Sequence, residues 1–198
     1  MTKTVTVARH GESDLSARGI VNGDPAVPCA LSPVGRNQAR ALGQCLVGEP
    51  VTLAVTSTFR RTAETAEIAL EGRGMRRLAL PALDDLRFGE FEGRPITEYR
   101  AWSASHDVAA RVPGGESRLD AIGRYCRALR NVLALPDAEH LLVVAHGLPL
   151  AYLVQAASGG QLTGQVEPLE PGVPHRLARG DVRAAIGRLE RWSEGRVA

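Results

Sequence analysis

Lysine, cysteine and long apolar runs are scarce in this chain of 198 residues. Lys3 is the only lysine, so arginine carries nearly all of the positive charge, and 24 basic residues nearly balance 22 acidic ones. This balance argues against a nucleic-acid-coating surface and a charged disordered tail, so no nucleic-acid partner is expected. The longest apolar runs, such as 141–145, are too short to cross a bilayer, and the N-terminus lacks a signal-like stretch. We therefore expect a cytoplasmic protein with no membrane partner.

The three cysteines argue against a disulfide framework. Cys29, Cys45 and Cys126 are odd in number and lie far apart, without the spacing of a metal site or a redox motif. They are predicted to be reduced, structural thiols.

Short β-rich runs alternate with helical patterns along the chain. Four such runs are predicted to be strands: residues 5–8, 51–56, 77–80 and 141–145. The last is almost wholly apolar, as expected for a strand buried on both faces of a parallel sheet. This alternation indicates an α/β domain with a largely parallel sheet. The length fits one domain, residues 1–198, and is compatible with a homodimer.

Helix boundaries can also be predicted. Ser32 followed by Pro33 is typical of a helix start, and Ser117 is expected to begin a second, longer helix. The apolar periodicity of residues 181–192 predicts a C-terminal helix, and the Gly- and Pro-rich region 159–175 is predicted to be a long surface loop.

Polar residues follow each of the four predicted strands, where open α/β sheets bind their ligands. Taken singly, each of these elements has an ordinary structural explanation. A histidine is more often a surface or core residue, an arginine pair usually lies on the solvated face of a helix, and an aspartate pair usually caps a loop. Convergence of four strand ends on one sheet edge favours a functional site instead. The segments are Arg-His-Gly-Glu at 9–12, Ser57 to Thr62, Asp84 to Gly89, and His146-Gly147.

This set of side chains suits phosphoryl transfer, which depends on positioning and on stabilising charge around the phosphoryl oxygens. Arg9 and Arg61 can each make forked hydrogen bonds to a phosphate dianion. A neutral imidazole can attack phosphorus through one ring nitrogen while the other holds its proton against a fixed acceptor. A carboxylic acid is then needed to protonate the departing alkoxide.

From about residue 5 to residue 154, the ordered motifs resemble those of the histidine phosphatase superfamily, also called the phosphoglycerate mutase-like family. Arg-His-Gly alone would be a weak signal, but the ordered series is specific. The resemblance implies a three-layer α/β/α sandwich with a largely parallel central sheet. The motifs are Arg-His-Gly-Glu at 9–12, Leu31-Ser32 with Gly35 and Gln38-Ala39, Ser57-x-x-x-Arg61-x-x-x-Thr65-Ala66, Phe88-Gly89-x-Phe91-Glu92-Gly93, Pro113 to Ser117, and Val143-Val144-x-His146-Gly147.

The resemblance implies a role for each matching residue. His10 would be the nucleophile, Arg9 and Arg61 would grip the phosphate, and His146 would donate to the phosphoryl oxygens. Asp85 stands where the family commonly has a glutamate as general acid. Its shorter reach leaves Glu12 and Glu90 open as alternative acids. The remaining predicted substrate-binding residues are Asn22, Gly23 and Gly147.

The expected function is hydrolysis of a small phosphorylated metabolite through a phosphohistidine on His10, with no cofactor and no metal. A cofactor-dependent mutase is the alternative enzyme. Here only residues 94–111 separate the motif that ends at Gly93 from Pro113-Gly114-Gly115, and the corresponding section is longer in related mutases. The short section favours hydrolysis. A non-catalytic phospholigand-binding protein is the alternative from another class, since Asp85 departs from the family pattern. Dinucleotide binding is disfavoured because no Gly-x-Gly-x-x-Gly loop follows the first strand.

Residues 88–116 are expected to supply the pocket wall, with six candidates: Phe91, Tyr99, Arg100, Trp102, His106 and Arg111.

Overall fold

Five strands form one sheet in the computed structural model, which describes residues 3–197. The order across the sheet is β3-β2-β4-β1-β5, and every neighbouring pair is parallel except β1 and β5. The four predicted strands and the largely parallel sheet are therefore confirmed. The strands are β1 (Thr4–Arg9), β2 (Leu53–Thr56), β3 (Arg77–Ala79), β4 (His140–Ala145) and β5 (Pro174–Ala178).

Helices connect the strands and begin where the capping residues predict. Ser32 accepts a hydrogen bond from the Gly35 backbone with Pro33 in the first turn, and Ser117 forms a capping box with Asp120. Within the described residues no helix is both long and apolar enough to span a bilayer. The helices are α1 (Asp14–Ala17), α2 (Pro33–Cys45), α3 (Arg60–Ala69), α4 (Ile96–Ser105), α5 (Arg118–Val132), α6 (Gly147–Ala157) and α7 (Arg179–Val197), with short 3-10 turns at Pro81–Leu83 and Gly89–Phe91.

Alternate residues of the central strands face opposite helical layers. Val7 and Val143 belong to a core cluster shared with α5, α6 and α7, whereas Ala8 and Val144 pack with buried residues of α2 and α3. Both faces of the sheet are covered, which explains why β4 is apolar at consecutive positions. The predicted three-layer sandwich is confirmed.

The prediction of a loop throughout 159–175 is wrong at its end. Pro174 and His175 begin β5, which pairs antiparallel with β1 at the edge of the sheet. This strand carries little apolar signal because its residues are only half-buried or exposed. The C-terminal helix is confirmed, but α7 extends beyond the predicted 181–192 at both ends.

The cysteines are free thiols, as predicted. Cys29 and Cys126 are buried, which fits a structural role. Cys45 is exposed at the last position of α2, so the expectation of a structural thiol is wrong there.

Candidate active site

The carboxyl ends of β1, β2 and β4 bring the predicted site residues together. His10, Ser57 and His146 each follow one of these strands directly, and Arg61 lies in the first turn of α3. Asp85 follows the 3-10 turn after β3. The His10 and His146 rings approach edge to face, with their centroids 5.2 Å apart.

His10 is held as a neutral imidazole with one unprotonated nitrogen. Its Nδ1 lies 2.7 Å from the backbone carbonyl of Gly11, which accepts only from a protonated nitrogen. Nε2 therefore carries the lone pair, and it accepts a hydrogen bond of 3.0 Å from Nε of Arg61. Burial, followed by the charge of Arg61, holds the pKa of His10 well below its ordinary value. The ring thus has the protonation state that a nucleophile requires.

Two glycines fix the backbone that orients His10. A Cβ on Gly35 would lie 1.9 Å from the Glu12 carbonyl oxygen, and one on Gly11 would lie 2.4 Å from the Gly35 carbonyl oxygen. Only glycine permits this approach of the segment after β1 to the start of α2. The Gly11 amide also donates to Thr65 Oγ1 at 3.0 Å, which ties the segment to α3.

Arg61 lies at the centre of the site. It is 3% exposed, and besides His10 it donates to Asn22 Oδ1 at 2.6 Å and to Asp85 Oδ2 at 3.2 Å. Phe59 packs under the guanidinium, 4.0 Å from ring centroid to Cζ. The adjacent Arg60 is exposed and pairs only with Glu64 among the described acidic residues. The structure thus places Arg61, and not Arg60, in the site.

His146 is fully buried, and both of its nitrogens have polar neighbours. Nε2 lies 2.9 Å from Ser57 Oγ, and Nδ1 lies 3.2 Å from Asp85 Oδ2. Ser57 Oγ also lies 2.9 Å from Thr62 Oγ1, so it can donate to either partner. Nδ1 also lies 3.2 Å from Nη2 of Arg61, and the Asp85 carboxylate at the same distance favours a protonated Nδ1, with the ring neutral or cationic. Burial lowers the pKa of His146, against the opposing effect of the Asp85 carboxylate.

Asp85 contacts both Arg61 and His146 through one oxygen. Its other oxygen accepts from the Leu86 amide at 2.9 Å. Burial alone would raise the pKa of Asp85, but His146 and Arg61 outweigh it and hold the pKa well below its ordinary value. The carboxylate is ionised at neutral pH, so an acid role requires proton uptake when a phosphate ester binds.

The alternative acids lie less favourably. Glu12 accepts from Ser32 Oγ at 2.7 Å, at the start of α2. Glu90 is exposed. Neither lines the cavities that contain His10 and Asp85.

Arg9 and Gly147 form the next part of the site. Arg9 donates to the Leu169 carbonyl at 3.1 Å, and its buried Nε has no partner among the described residues. A Cβ on Gly147 would lie 2.9 Å from Cδ of Arg9, so glycine leaves room for this side chain. Arg9 and Arg61 against Asp85 give the site a net positive charge that suits a phosphate dianion.

Asn22 and Gly23 contact the protein itself. Both the Asn22 side chain and its backbone carbonyl accept from Arg61, at 2.6 and 3.0 Å, and its amide nitrogen donates to the Asp24 carbonyl. The Gly23 amide donates to Glu92 at 2.8 Å. In this arrangement Asn22 positions Arg61 and Gly23 is held by Glu92, and their predicted contact with substrate stays a prediction.

Four supporting residues were not among the predicted site residues. Ser57 and Phe59 hold His146 and Arg61, Thr65 holds Gly11, and Glu92 anchors Gly23 and the Phe88 amide. Ser57, Thr65 and Glu92 belong to the motifs of the sequence, which was the available signal. No such signal marks Phe59.

A cavity of about 460 Å³ opens from His10 and Asp85 toward α4. Of the predicted wall residues, Tyr99 and Arg100 line it. The others do not: Phe91 and Trp102 pack against the ring of Tyr99, His106 stacks on Trp102, and Arg111 pairs with Asp120. Sequence reasoning missed Arg118 and the segment 165–168, which complete the wall.

No metal-binding cluster of three or more His, Cys, Asp or Glu side chains occurs within residues 3–197. The expected independence of metal stays a prediction.

The first prediction separates the two adjacent arginines. We expect Arg61→Ala to raise KM and lower kcat together for any phosphate monoester, so that kcat/KM falls by about 10²- to 10³-fold, because a buried charge-assisted donor is lost. Arg60→Ala, the matched control, should change kcat/KM by less than about twofold, since an exposed ion pair contributes little. Steady-state phosphate release measures both. The reverse ranking would show that the motif had been aligned one residue off.

Comparisons with known proteins agree with these features. A family model described as histidine phosphatase superfamily (branch 1) matches residues 5–168. The chain is 31% identical over 162 residues to a protein of Serratia proteamaculans named probable phosphoglycerate mutase GpmB, covering 78% of this chain and 74% of that protein.

Solved structures of similar fold include a mycobacterial glucosyl-3-phosphoglycerate phosphatase, with a TM-score of 0.74, 24% identity and coverage of 89% of this chain and 92% of that one. An alpha-ribazole phosphatase from Shigella flexneri has a TM-score of 0.72 and 22% identity, with coverage of 87% and 89%. At these identities the likeness shows the fold alone.

Proposed function

Because this chain belongs to the histidine phosphatase superfamily, we propose that it is a phosphomonoesterase that hydrolyses a small phosphorylated metabolite through a covalent phosphohistidine on His10. One observation carries the proposal. The unprotonated Nε2 of a buried, neutral His10 lies in a cavity beside Arg9, Arg61 and Asp85, with its Nδ1 proton held by the Gly11 carbonyl.

In the first step, Nε2 of His10 attacks phosphorus and the ester P–O bond breaks. The Gly11 carbonyl stabilises the Nδ1–H of the ring as it becomes positively charged. Arg9, Arg61 and Nδ1–H of His146 donate to the phosphoryl oxygens. For this, Arg61 must give up its hydrogen bond to Nε2 in favour of the phosphoryl group. The departing alkoxide takes a proton from Asp85.

In the second step, water attacks the phosphohistidine and the P–N bond breaks. Asp85, now ionised, accepts the proton from the water, and inorganic phosphate leaves while His10 returns to its neutral form. The same carboxyl group thus acts first as an acid and then as a base.

Asp85 is ionised before substrate binds, so its proton must arrive with the substrate or on its binding. A phosphate ester placed against Arg61 and His146 competes for their positive charge, which raises the pKa of Asp85. A phosphate monoester carries a proton of its own below its second pKa of about 6. Either route leads to a protonated Asp85 in the complex.

Phosphotransfer of the mutase type is the second candidate, and the relatives named phosphoglycerate mutase favour it. Hydrolysis is favoured by the short connection between the motif that ends at Gly93 and the motif that begins at Pro113. Residues 94–111 form little more than α4, which lines one wall of the cavity. A mutase must instead protect its phosphoenzyme from water.

The second prediction tests this choice. With 3-phosphoglycerate and a bisphosphoglycerate as cofactor, in the presence of EDTA, we expect phosphate release to exceed isomerisation by at least about tenfold. Rapid acid quench should trap a phosphoenzyme that is acid-labile, as a phosphohistidine is. Release and isomerisation are measured in the same sample by phosphate assay and 31P NMR. Faster isomerisation would assign a mutase, and binding without phosphoenzyme or turnover of any ester would assign a binding protein.

A further inference from the structure

Asp85 lies on a segment that belongs to no helix or strand. Residues 84–88 have no regular secondary structure and connect the 3-10 turns Pro81–Leu83 and Gly89–Phe91. Aspartate is one methylene group shorter than the glutamate common in the family, so its side chain can compensate little for a displaced backbone. The reach of Asp85 toward a leaving oxygen therefore depends on what fixes the backbone at this position.

Arg124 of α5 holds this segment through its backbone. Its Nη1 donates to the carbonyl oxygens of Ala82 and Asp84, at 3.1 and 2.9 Å. Its Nη2 donates to the carbonyl oxygen of Asp85 at 3.1 Å. Carbonyl groups outside helices and strands need other donors when they are removed from water. One planar guanidinium thus binds three carbonyls within four residues, and its rigid fork fixes their positions relative to α5.

Glu116 holds Arg124 and the far side of the segment. It is 1% exposed, and its Oε1 accepts from Nη2 of Arg124 and, at 3.2 Å, from the Arg87 amide. The Glu116 amide donates to the Arg87 carbonyl at 3.0 Å. The only other ion pair of Glu116 among the described residues is with the exposed Arg87 side chain at 3.6 Å. The buried ion pair is therefore bonded to the backbone on both sides of Asp85.

Other contacts anchor the segment before the acid but do not reach its carbonyl. The Tyr125 hydroxyl donates to the Leu83 carbonyl at 2.6 Å, and Thr58 donates to the Asp84 side chain. Among the described residues, Arg124 is the only donor to the carbonyl oxygen of Asp85. The backbone position of the acid thus depends on this one side chain.

We propose that Arg124 is a positioning residue for the general acid: it fixes the backbone of Asp85, and Glu116 holds Arg124 in place. The inference rests on the proposed function, because it takes Asp85 to protonate the leaving alkoxide. Arg124 lines neither cavity that contains His10, but a different one that shares only Asp85 with them. It therefore acts through Asp85 and not on the substrate.

Arg124→Lys tests the proposal. Lysine keeps a positive charge opposite Glu116, but a single ammonium group cannot bridge three carbonyls and a carboxylate. We expect phosphorylation of His10, measured by rapid quench, to slow by about 10- to 100-fold with glycerol 3-phosphate, because a displaced acid transfers its proton poorly. With p-nitrophenyl phosphate the rate should fall by less than about threefold, since its leaving group hardly needs a proton. Arg130→Gln, which removes an exposed arginine of α5 paired with Glu190, is the matched control and should change neither rate.

A double-mutant cycle with Asp85→Asn separates positioning from general damage to the fold. If Arg124 acts through the acid, Arg124→Lys should slow phosphorylation by glycerol 3-phosphate little further in the Asp85→Asn background. Additive losses, or equal losses with both esters, would make Arg124 a structural residue and overturn the proposal. If Arg124→Lys fails to fold, Glu116→Gln takes its place: it keeps an acceptor for the Arg87 amide, removes the charge that holds Arg124, and should slow phosphorylation by the alkyl ester alone.

Hydrogen exchange supplies a readout that needs no turnover. The amides of residues 84–88 should exchange at least about tenfold faster in Arg124→Lys than in the wild type or Arg130→Gln, and unchanged exchange would overturn the proposal. The results also separate the positioning role from the proposed function. Phosphorylation by p-nitrophenyl phosphate with no selective loss for glycerol 3-phosphate overturns the role of Arg124 and leaves the phosphatase. If neither ester phosphorylates the wild type, the phosphatase is overturned, and exchange alone decides whether Arg124 fixes the segment.

Discussion

His10→Ala is expected to lower phosphate release by about 10³-fold or more and to abolish phosphoenzyme formation. The reason is that His10 Nε2 forms the bond to phosphorus itself, so no neighbouring group can replace it. The binding of phosphate should survive, because Arg9, Arg61 and His146 remain. Steady-state phosphate release and acid-quench trapping measure the two losses separately.

His140→Ala is the matched control, since this histidine lies at the opposite end of β4 from His146 and its ring hydrogen-bonds only to Thr4 among the described residues. It should retain nearly full activity. Thermal unfolding checks the fold of both variants. Loss of the His10 ring leaves one donor of Arg61 without its partner, which costs about 1–3 kcal/mol. If His10→Ala kept a tenth of the wild-type turnover, the nucleophile would have to be another group.

Asp85→Asn is expected to slow the phosphorylation of His10 by about 10²- to 10⁴-fold with an alkyl phosphate and little with p-nitrophenyl phosphate. An alkoxide needs a proton as it leaves, whereas p-nitrophenolate is a good leaving group without one. Asparagine keeps the shape of the side chain but has no acidic proton. The ratio of the two phosphorylation rates, measured by rapid quench, therefore isolates proton donation, because the later attack of water is common to both esters.

Asp84→Asn is the matched control for this prediction. The Asp84 carboxylate accepts from the backbone and hydroxyl of Thr58, both at 2.8 Å, and an amide oxygen can do the same. Its activity should change little with either ester. Equal losses in the phosphorylation rate with both esters in Asp85→Asn would make Asp85 an electrostatic or structural residue in that step. The proton would then come from Glu12, Glu90 or water.

The pH dependence follows from the lowered pKa of Asp85. Since kcat/KM reports the free enzyme, and Asp85 is ionised there at neutral pH, the fraction that carries a proton falls as the pH rises. We expect kcat/KM for an alkyl phosphate to decrease from acid toward alkaline pH. The decline should flatten in Asp85→Asn. His10 adds no acid limb near neutrality, because its own pKa is lowered.

The motifs of the sequence located most of the site, because strand ends and helix starts are local features. Arg9-His10 and His146 follow apolar runs directly, so their position at the sheet edge could be predicted from the run alone. The family motif, in which the arginine lies four residues after Ser57, selects Arg61 over Arg60. Helix geometry explains this choice. One of two adjacent residues faces the site while the other faces solvent.

The wall of the cavity was harder to predict. Of six candidates within 88–116, only Tyr99 and Arg100 line it, since the others pack against one another or pair with residues of the surface. Which face of α4 turns toward His10 depends on the packing of the whole segment. Arg118 follows a helix cap, where an arginine is usually solvated, so its position in the sequence carries no signal for the cavity wall.

The sequence by itself determined the family, the order of most elements and the residues that gather at the sheet edge, because these depend on local patterns that the chain must satisfy wherever it folds. Only the tertiary structure decided the edge strand β5, the Nδ1 proton of His10 and the wall of the cavity. The Nδ1 proton of His10 depends on a carbonyl held by contacts with α2 and α3. The burial of Arg118 depends on carbonyls of residues 103, 106 and 164, which come together only in the folded chain.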